Sequence, residues 1–423
     1  MTKITSYPAE PSDVKHFISA ENMKNDHHLH TVLTFENHLN IATLKKAVQL
    51  SAQKLPLLLC YFKETSNGAS WQESVFSTDD LVFLVETTTP EEEEVNQALI
   101  KKISTENGPQ IRLTVIRTKT SDQLVIILNH MLADGAGFKQ YLYLLSDLYS
   151  KLLENPEYQV KLSPGSRGLK QVFDQFSRKQ KQEILTKQKN QPPVQNPKIQ
   201  LQGDANNPKI IWTKTSKQQF VSLISYAKKH DATVNDVFFT AMALTIHQVT
   251  GQTAMSIDCP VDLRKYLPKN RTPGITNLTA NITCQIAATD SLTSFEETLK
   301  IVKKSLQPQK NSLAALRIYY LLEIIFQKKP YAIAKKASEK LYSIPKTSFT
   351  NIGIIDEDKL VFKNSYLQDC FICGSLKYAP FFQVAATTFR GELTLSTNLH
   401  GTSHDHIWQA DFLQKMIQQF PRI

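Results

Sequence analysis

At 423 residues, with 41% apolar and 21% charged side chains, the chain has the balance of a folded protein of two or three domains, which excludes a disordered chain. No apolar run approaches the roughly 20 residues of a membrane-crossing helix. Met1 to Pro11 holds two prolines, one lysine and no apolar stretch, so no secretory leader is expected there and a cytoplasmic location is. The formal net charge of +10 concentrates in Arg167 to Lys189 and Lys328 to Lys340. Neither segment has the form of a nucleic-acid-binding motif, so both read as solvated helix faces, with a phosphate-bearing partner, an acidic protein or an anionic membrane as functional options.

Along the first third, Ser12 to Ala20 predicts a helix capped by Ser12, and the β-branched stretch His30 to Phe35 predicts a strand. Apolar residues at helical spacing predict a helix over Ile41 to Leu55, stopped by Pro56, and Leu57 to Phe62 then reads as a buried strand. The acidic run Glu91 to Glu94 opens a helix. Ile111 to Ile116 and Leu124 to Leu128 flank a polar turn and predict a hairpin. From Gly135 the period changes: Phe138, Tyr141, Leu142, Leu145, Leu148, Tyr149 and Leu152 fall on one helical face.

Lys161 to Asn207 is rich in Gln, Lys, Asn and Pro and reads as a helix plus a linker. The expected division is therefore a lobe over 1–160, a helix and linker over 161–207, and a second lobe over 208–423. In that second lobe helices are predicted at Gln218 to Lys229, Val234 to Val249 (capped by Thr233), Ser294 to Leu306, Leu313 to Lys329, Tyr331 to Leu341 after a break at Pro330, and Asp405 to Gln419. Strands are predicted at Met255 to Val261, Thr347 to Ile355, Phe371 to Leu376, Phe382 to Thr388 and Glu392 to Asn398. Helix–strand mixtures in both halves predict an α/β protein of two similarly built lobes.

The sharpest local signal is Leu124 to Gly137, LVIILNHMLADGAG. An apolar strand ends at Asn129-His130, a turn carries Asp134-Gly135, and a helix follows. A histidine at the mouth of a buried strand is rigidly placed, and imidazole can accept and return a proton near neutral pH. Asp134 is close enough to order the loop, while Gly135 and Gly137 allow a sharp turn and a close approach of substrate. A structural histidine that ends a strand is the bland alternative; the His-x-x-x-Asp-Gly pattern between strand and amphipathic helix favours a base.

HMLADG resembles the HxxxD(G) signature of the condensation-domain and chloramphenicol-acetyltransferase-like superfamily, which includes alcohol acetyltransferases, polyketide-associated acyltransferases and wax-ester synthases. The resemblance extends to Leu44 to Phe62, to Thr233-Val-Asn-Asp-Val through Pro260-Val-Asp-Leu-Arg264, and to Ser348-Phe-Thr-Asn351-Ile-Gly353, in the family's order. It implies two chloramphenicol-acetyltransferase-like lobes in a V-shaped pseudo-dimer with an active-site tunnel between them. It implies further that His130 is the general base of an acyltransferase, that Asp134 holds the loop through an ion pair with Arg264, and that Asn351 and Gly353 shape the tunnel wall. The donor implied is an acyl-CoA or an acyl carrier protein, the acceptor a small alcohol or amine, the lipid-like included. No cofactor is expected beyond the thioester, and a monomer is expected. Two departures stand out. Asn129 replaces the first of two adjacent histidines found in many relatives, and Thr350 stands where the family's motif has its serine. The first tilts the reading from a peptide-forming domain towards an O-acyltransferase; the second keeps a hydroxyl.

Competing constellations are weaker. His27, His28 and His30 with Asp26, and His400, His404 and His406 with Asp405, cluster without the ligand sets that hold metals, and no metal is expected. The second cluster reads as an exposed turn and the start of the last helix. Five cysteines at irregular spacing do not form a disulfide framework, and Cys370 and Cys373 read as buried strand residues. No phosphate-binding loop, dinucleotide fingerprint or nucleophile elbow occurs. A condensation-type domain acting in trans on carrier-bound peptides, and a non-catalytic binding homologue, remain as alternatives.

Overall fold

In the computed structural model, residues 5–88, 91–186, 195–270, 274–310, 312–341 and 346–421 are described. Part of the expected linker, 187–194, falls outside them.

The first lobe is built on a five-stranded sheet in the order Leu367–Cys373, His28–Phe35, Asp122–Asn129, Ile111–Arg117, Val82–Glu86. Its central strand Asp122–Asn129 is a continuous apolar run because both faces are covered. Leu124, Ile126 and Leu128 join the main core under the helices Ile41–Ser51 and Gly135–Glu154, whereas Val125 packs with Val95 and Leu99 of the helix Glu91–Leu99. The hairpin forms as expected, with Thr114 opposite Val125. A small sheet of Ser6–Pro8, Gly68–Glu73 and Cys60–Thr65 closes one side.

The second lobe carries a seven-stranded sheet ordered Thr279–Ile286, Met255–Asp262, Thr347–Ile354, Phe382–Phe389, Glu392–His400, with Lys377–Tyr378 and Pro208–Lys214 also paired to Glu392–His400. Its core gathers Phe238, Phe239, Phe349, Phe382 and Phe412, all fully buried. The molecule is thus the expected two-lobed α/β pseudo-dimer. The lobes are tied by a strand of the second half: Leu367–Cys373 crosses into the first sheet, antiparallel to His28–Phe35. Cys370 and Cys373 lie on it, both buried and free, in different cores.

Several expectations change at the ends of elements. The first helix is Pro11–Glu21, capped by Glu10 rather than Ser12. Pro11 takes the first helical position, where a missing N–H costs nothing, and the Glu10 amide donates to Asp13 Oδ2 at 3.0 Å. The second helix ends at Ser51, not Leu55: a turn follows over 52–54, and Leu55, the residue before Pro56, is held outside the α region at φ −128° and ψ 75°. Pro56–Leu59 is then a 3-10 turn, and the strand starts at Cys60. The strand expected over Phe371 to Leu376 begins at Leu367, where pairing with Phe35 sets its register. Leu313 to Lys329 divides into a 3-10 turn and the helix Arg317–Lys328. Within 161–207 the helical part is two short helices, Lys170–Phe173 and Arg178–Thr186.

Candidate active site

His130 follows the last residue of the strand Asp122–Asn129, and the sheet ladder continues for one bond beyond it: the His130 amide donates to the His27 carbonyl at 2.7 Å. Asn129 makes the turn. Its side-chain carbonyl accepts from the Met131 amide at 2.9 Å, and its amide group donates to Gln110 Oε1 at 2.7 Å and Thr105 Oγ1 at 3.0 Å. Through these three bonds Asn129 anchors the loop that carries His130.

Asp134 caps the helix Gly135–Glu154 by accepting from the Gly137 amide at 2.8 Å. Its other oxygen takes Arg264 Nη1 at 3.0 Å and the Leu278 amide at 2.7 Å. Both oxygens are therefore committed away from the imidazole, and the expected ion pair with Arg264 is present. Arg264 also donates to the Thr276 carbonyl at 2.8 Å. Burial works against the guanidinium's charge, but Asp134 and Asp262, the latter 3.1 Å away, together hold the pKa above its ordinary value.

Gly137 has no room for a side chain: a Cβ there would stand 2.9 Å from the Thr276 carbonyl oxygen of the second lobe. A Cβ on Gly135 would meet Ile352 at 3.3 Å, which places the 351–353 segment directly on the His130 loop. Gly353 sits at φ 83°, a conformation reserved for glycine, beside a register shift in the strand. Asn351 holds that bend by accepting from the Gly353 amide at 2.8 Å and donating to Asn235 Oδ1 at 2.7 Å. Thr350 sits in the ladder opposite Ala385.

Four groups that sequence reasoning passed over complete the site. The Asn277 side-chain amide donates to the His130 carbonyl at 2.8 Å and the Met131 carbonyl at 3.0 Å, clamping the loop from the second lobe. Arg167 makes a bidentate pair with Asp13 at 2.9 and 3.1 Å and reaches the Met131 carbonyl at 3.3 Å. His16 stacks on His130 with ring centroids 4.9 Å apart, and His27 lies edge-on at 6.1 Å. His16 lies on the helix Pro11–Glu21, which buries Ser12, Asp13, Lys15, His16 and Ser19; no sequence pattern marks that inward face.

His130 is partly exposed, yet deep enough that burial lowers its pKa to about 4. Its own backbone and Asp134 oppose that shift, while Lys377 and Lys15 add to it. The imidazole is therefore neutral at physiological pH, the form a general base requires. Of the two histidine clusters in the sequence, only His27 reaches His130. Burial lowers the pKa of His30 to about 4, and His28 pairs with Asp26 at 3.2 Å. His404 is exposed at the start of the helix Ser403–Gln418, as expected, whereas His400 and His406 are buried, His400 because it ends a strand of the sheet and His406 because it lies on the inner side of that helix.

With this geometry in place, similarity to known proteins decides the family. A model described as the condensation domain matches residues 7–312. The chain belongs to the condensation-domain family. It is also 20% identical over 420 residues to one component of the mycosubtilin synthase of Bacillus subtilis, a match that spans 93% of this chain and 15% of that much longer protein. In fold, this condensation-family chain is similar to polyketide synthase associated protein 5 from Mycobacterium tuberculosis, with a TM-score of 0.67 and 13% identity over 99% of this chain and 98% of that one. It is similar to trichothecene 15-O-acetyltransferase from Fusarium sporotrichioides, with a TM-score of 0.69 and 12% identity over 99% and 96%. A third likeness is to the first condensation domain of the calcium-dependent antibiotic synthetase, with a TM-score of 0.68 and 12% identity over 98% and 96%.

Proposed function

We propose that this condensation-family chain is an acyltransferase that moves an acyl group from a thioester to an alcohol or amine, with His130 as general base. The observation that carries the reading is the division of labour between His130 and Asp134. One is a neutral, partly exposed imidazole at the junction of the lobes; the other has both oxygens bound to Arg264, Gly137 and Leu278. His130 takes the proton from the hydroxyl or amine as that group attacks the thioester carbonyl. The tetrahedral intermediate collapses by breaking the carbon–sulfur bond, and the imidazolium returns the proton to the departing thiolate. A base whose pKa lies below neutrality is a weaker proton acceptor than free imidazole but is fully in its basic form, so none of the enzyme is lost to protonation. No metal or cofactor takes part in this scheme.

The donor is an acyl-CoA or an acyl group on a carrier protein. Asn129 in place of a second histidine favours O-acyl transfer, and a monomer in the cytoplasm suffices for it. Membership of the condensation family and the likeness to the mycosubtilin synthase component favour a second reading in which the donor arrives on a carrier protein supplied in trans. Thiol release, followed with a thiol reagent across a panel of acyl-CoAs and acyl carrier proteins with and without alcohols and amines, tests both. Acceptor-dependent release from CoA esters supports the first, and release from carrier proteins alone supports the second. No release from any thioester, with any acceptor, contradicts acyl transfer itself.

A further inference from the structure

The proposed base does not stand alone. His16, on a buried helix of the first lobe, stacks on it, and the Nδ1 atoms of His16 and His27 lie 3.1 Å apart. In that contact one Nδ1 donates and the other accepts. The imidazole whose Nδ1 accepts must carry its proton on Nε2, so one buried N–H donor is left over. The Nε2 atoms of His16 and His27 are both buried without a partner, as is Nδ1 of His130.

Two lysines complete the surroundings. Lys15 precedes His16 on the same helix and Lys377 follows Leu376 at the lobe junction; both are more than nine-tenths buried, and both act electrostatically on His16, His27 and His130. Burial lowers the pKa of each to about 8, which leaves both mostly charged at neutral pH. The neighbouring carboxylates are spoken for: Asp13 is held by Arg167, Asp134 by Arg264, and Asp26 by His28. Lys15 lies over the Tyr319 ring, 5.4 Å from its centroid, whereas among the described residues the charge of Asp26 alone offsets the desolvation of the buried Lys377 ammonium. Buried ammonium groups are retained where something compensates them.

We propose that Lys15, His16, His27 and Lys377 form an anion-binding chamber beside His130, and that one of the two substrates carries a carboxylate within a few bonds of its reacting atom. The carboxylate takes the leftover imidazole N–H and lies between the two ammonium groups, which orients that substrate before the proton moves. The carboxylate could belong to a dicarboxylic acyl donor or to a hydroxy or amino acid acceptor. This rests on His130 as the base, but binding of the anion does not require turnover.

The test has a binding arm and a turnover arm. Succinate, with uncharged succinamide as control, is titrated by calorimetry into the wild type, His130→Ala, Lys15→Met and Lys377→Met. Methionine keeps the length and apolar stem of lysine while removing a buried charge, so melting temperatures at or above wild type are expected. Succinate is expected to bind the wild type and His130→Ala and to weaken at least tenfold in each lysine variant, while succinamide binds none of them. Absence of saturable succinate binding, or binding unchanged in both lysine variants, overturns the proposal. In the turnover arm, succinyl-CoA is compared with butyryl-CoA, and 3-hydroxybutyrate with 1,3-butanediol. Preference for the charged member of the first pair assigns the carboxylate to the donor, and of the second pair to the acceptor. Turnover that favours neither overturns the proposal, whereas anion binding without turnover on any thioester overturns only the acyltransferase reading.

Discussion

The Asp134 carboxylate lies 3.0 Å from Arg264 Nη1 and spends its other oxygen on the Gly137 amide, so it joins the two lobes at the loop that carries His130. Asp134→Asn keeps the capping acceptor but leaves the largely buried Arg264 guanidinium with Asp262, 3.1 Å away, as its one remaining carboxylate. A loss of stability of about 1–3 kcal/mol is expected, measured by denaturant unfolding. Activity falls with it, and the rate remains flat above about pH 6, because Asp134 only favours protonation of His130 and its loss cannot raise the imidazole's pKa. Wild-type stability combined with a pH limb moved upward would show that Asp134 acts on the imidazole directly.

Asn277 holds two successive carbonyls of the loop, those of His130 and Met131. Asn277→Ala is expected to cost about 1–2 kcal/mol in stability, the worth of two hydrogen bonds. Displacing the base by a fraction of an ångström should lower kcat by about 10–100-fold while KM changes little. Steady-state kinetics on the folded variant check this. An equal fall in kcat/KM and rise in KM with kcat untouched would place Asn277 in substrate binding instead.

The two glycines of the motif should respond differently to alanine. At Gly137 the new Cβ meets the rigid Thr276 carbonyl at 2.9 Å, whereas at Gly135 it meets the side chain of Ile352 at 3.3 Å, which can give way. Gly137→Ala is expected to destabilise by about 1–3 kcal/mol and to impair turnover, and Gly135→Ala to do less of both. Thermal unfolding of the pair gives the order, and the reverse order would mean that the lobes are not in contact at Gly137.

Acid should weaken the fold before it silences the base. In the unfolded chain His16, His27, His30 and His130 titrate near 6.5, while burial lowers all four in the folded state, His30 and His130 to about 4. Between those limits the unfolded chain binds more protons, so stability is full above about pH 6.5 and declines as pH falls towards 4. His30 alone accounts for about 3 kcal/mol of this at one pH unit per 1.36 kcal/mol. Glu323 runs the other way. Its pKa, raised to about 7 by burial and by Glu10, adds stability at low pH that is lost as pH rises from about 4 towards 7; Glu10, also raised by burial, acts the same way, but these two stand against five lowered histidines, His400 included. Unfolding free energies measured from pH 7.5 down to pH 4.5 should fall; a flat or rising profile would contradict the neutral histidine cluster.

The sequence makes the strand–histidine–aspartate–helix unit legible because it is contiguous: an apolar run, a turn and a helical period meet within Leu124 to Leu152. The Asp134–Arg264 pair is reachable only through resemblance, since 130 residues separate the partners. The rest of the site is hidden for a physical reason. His27 meets His130 because the ladder puts His28 opposite Asn129, a register no local pattern reveals. Asn277, Arg167 and Lys377 arrive from three other segments. The helix Pro11–Glu21 is legible as a helix, but its mixture of Ser, Asp, Lys and His reads as a surface helix, and only packing shows those groups turned inward. The second lobe's strands Pro208–Lys214 and Thr279–Ile286 escape for a similar cause, being polar enough to pass as connections until paired.

The most direct test of the central claim compares His130→Ala with the wild type in acceptor-dependent thiol release, under saturating thioester and after unfolding curves have shown both to be folded. Because the ring is partly exposed, its removal should leave the fold intact and lower turnover by at least about 100-fold, within the range for loss of a general base. Turnover near the wild-type rate in a folded His130→Ala protein would contradict the account and move the chemistry away from this histidine.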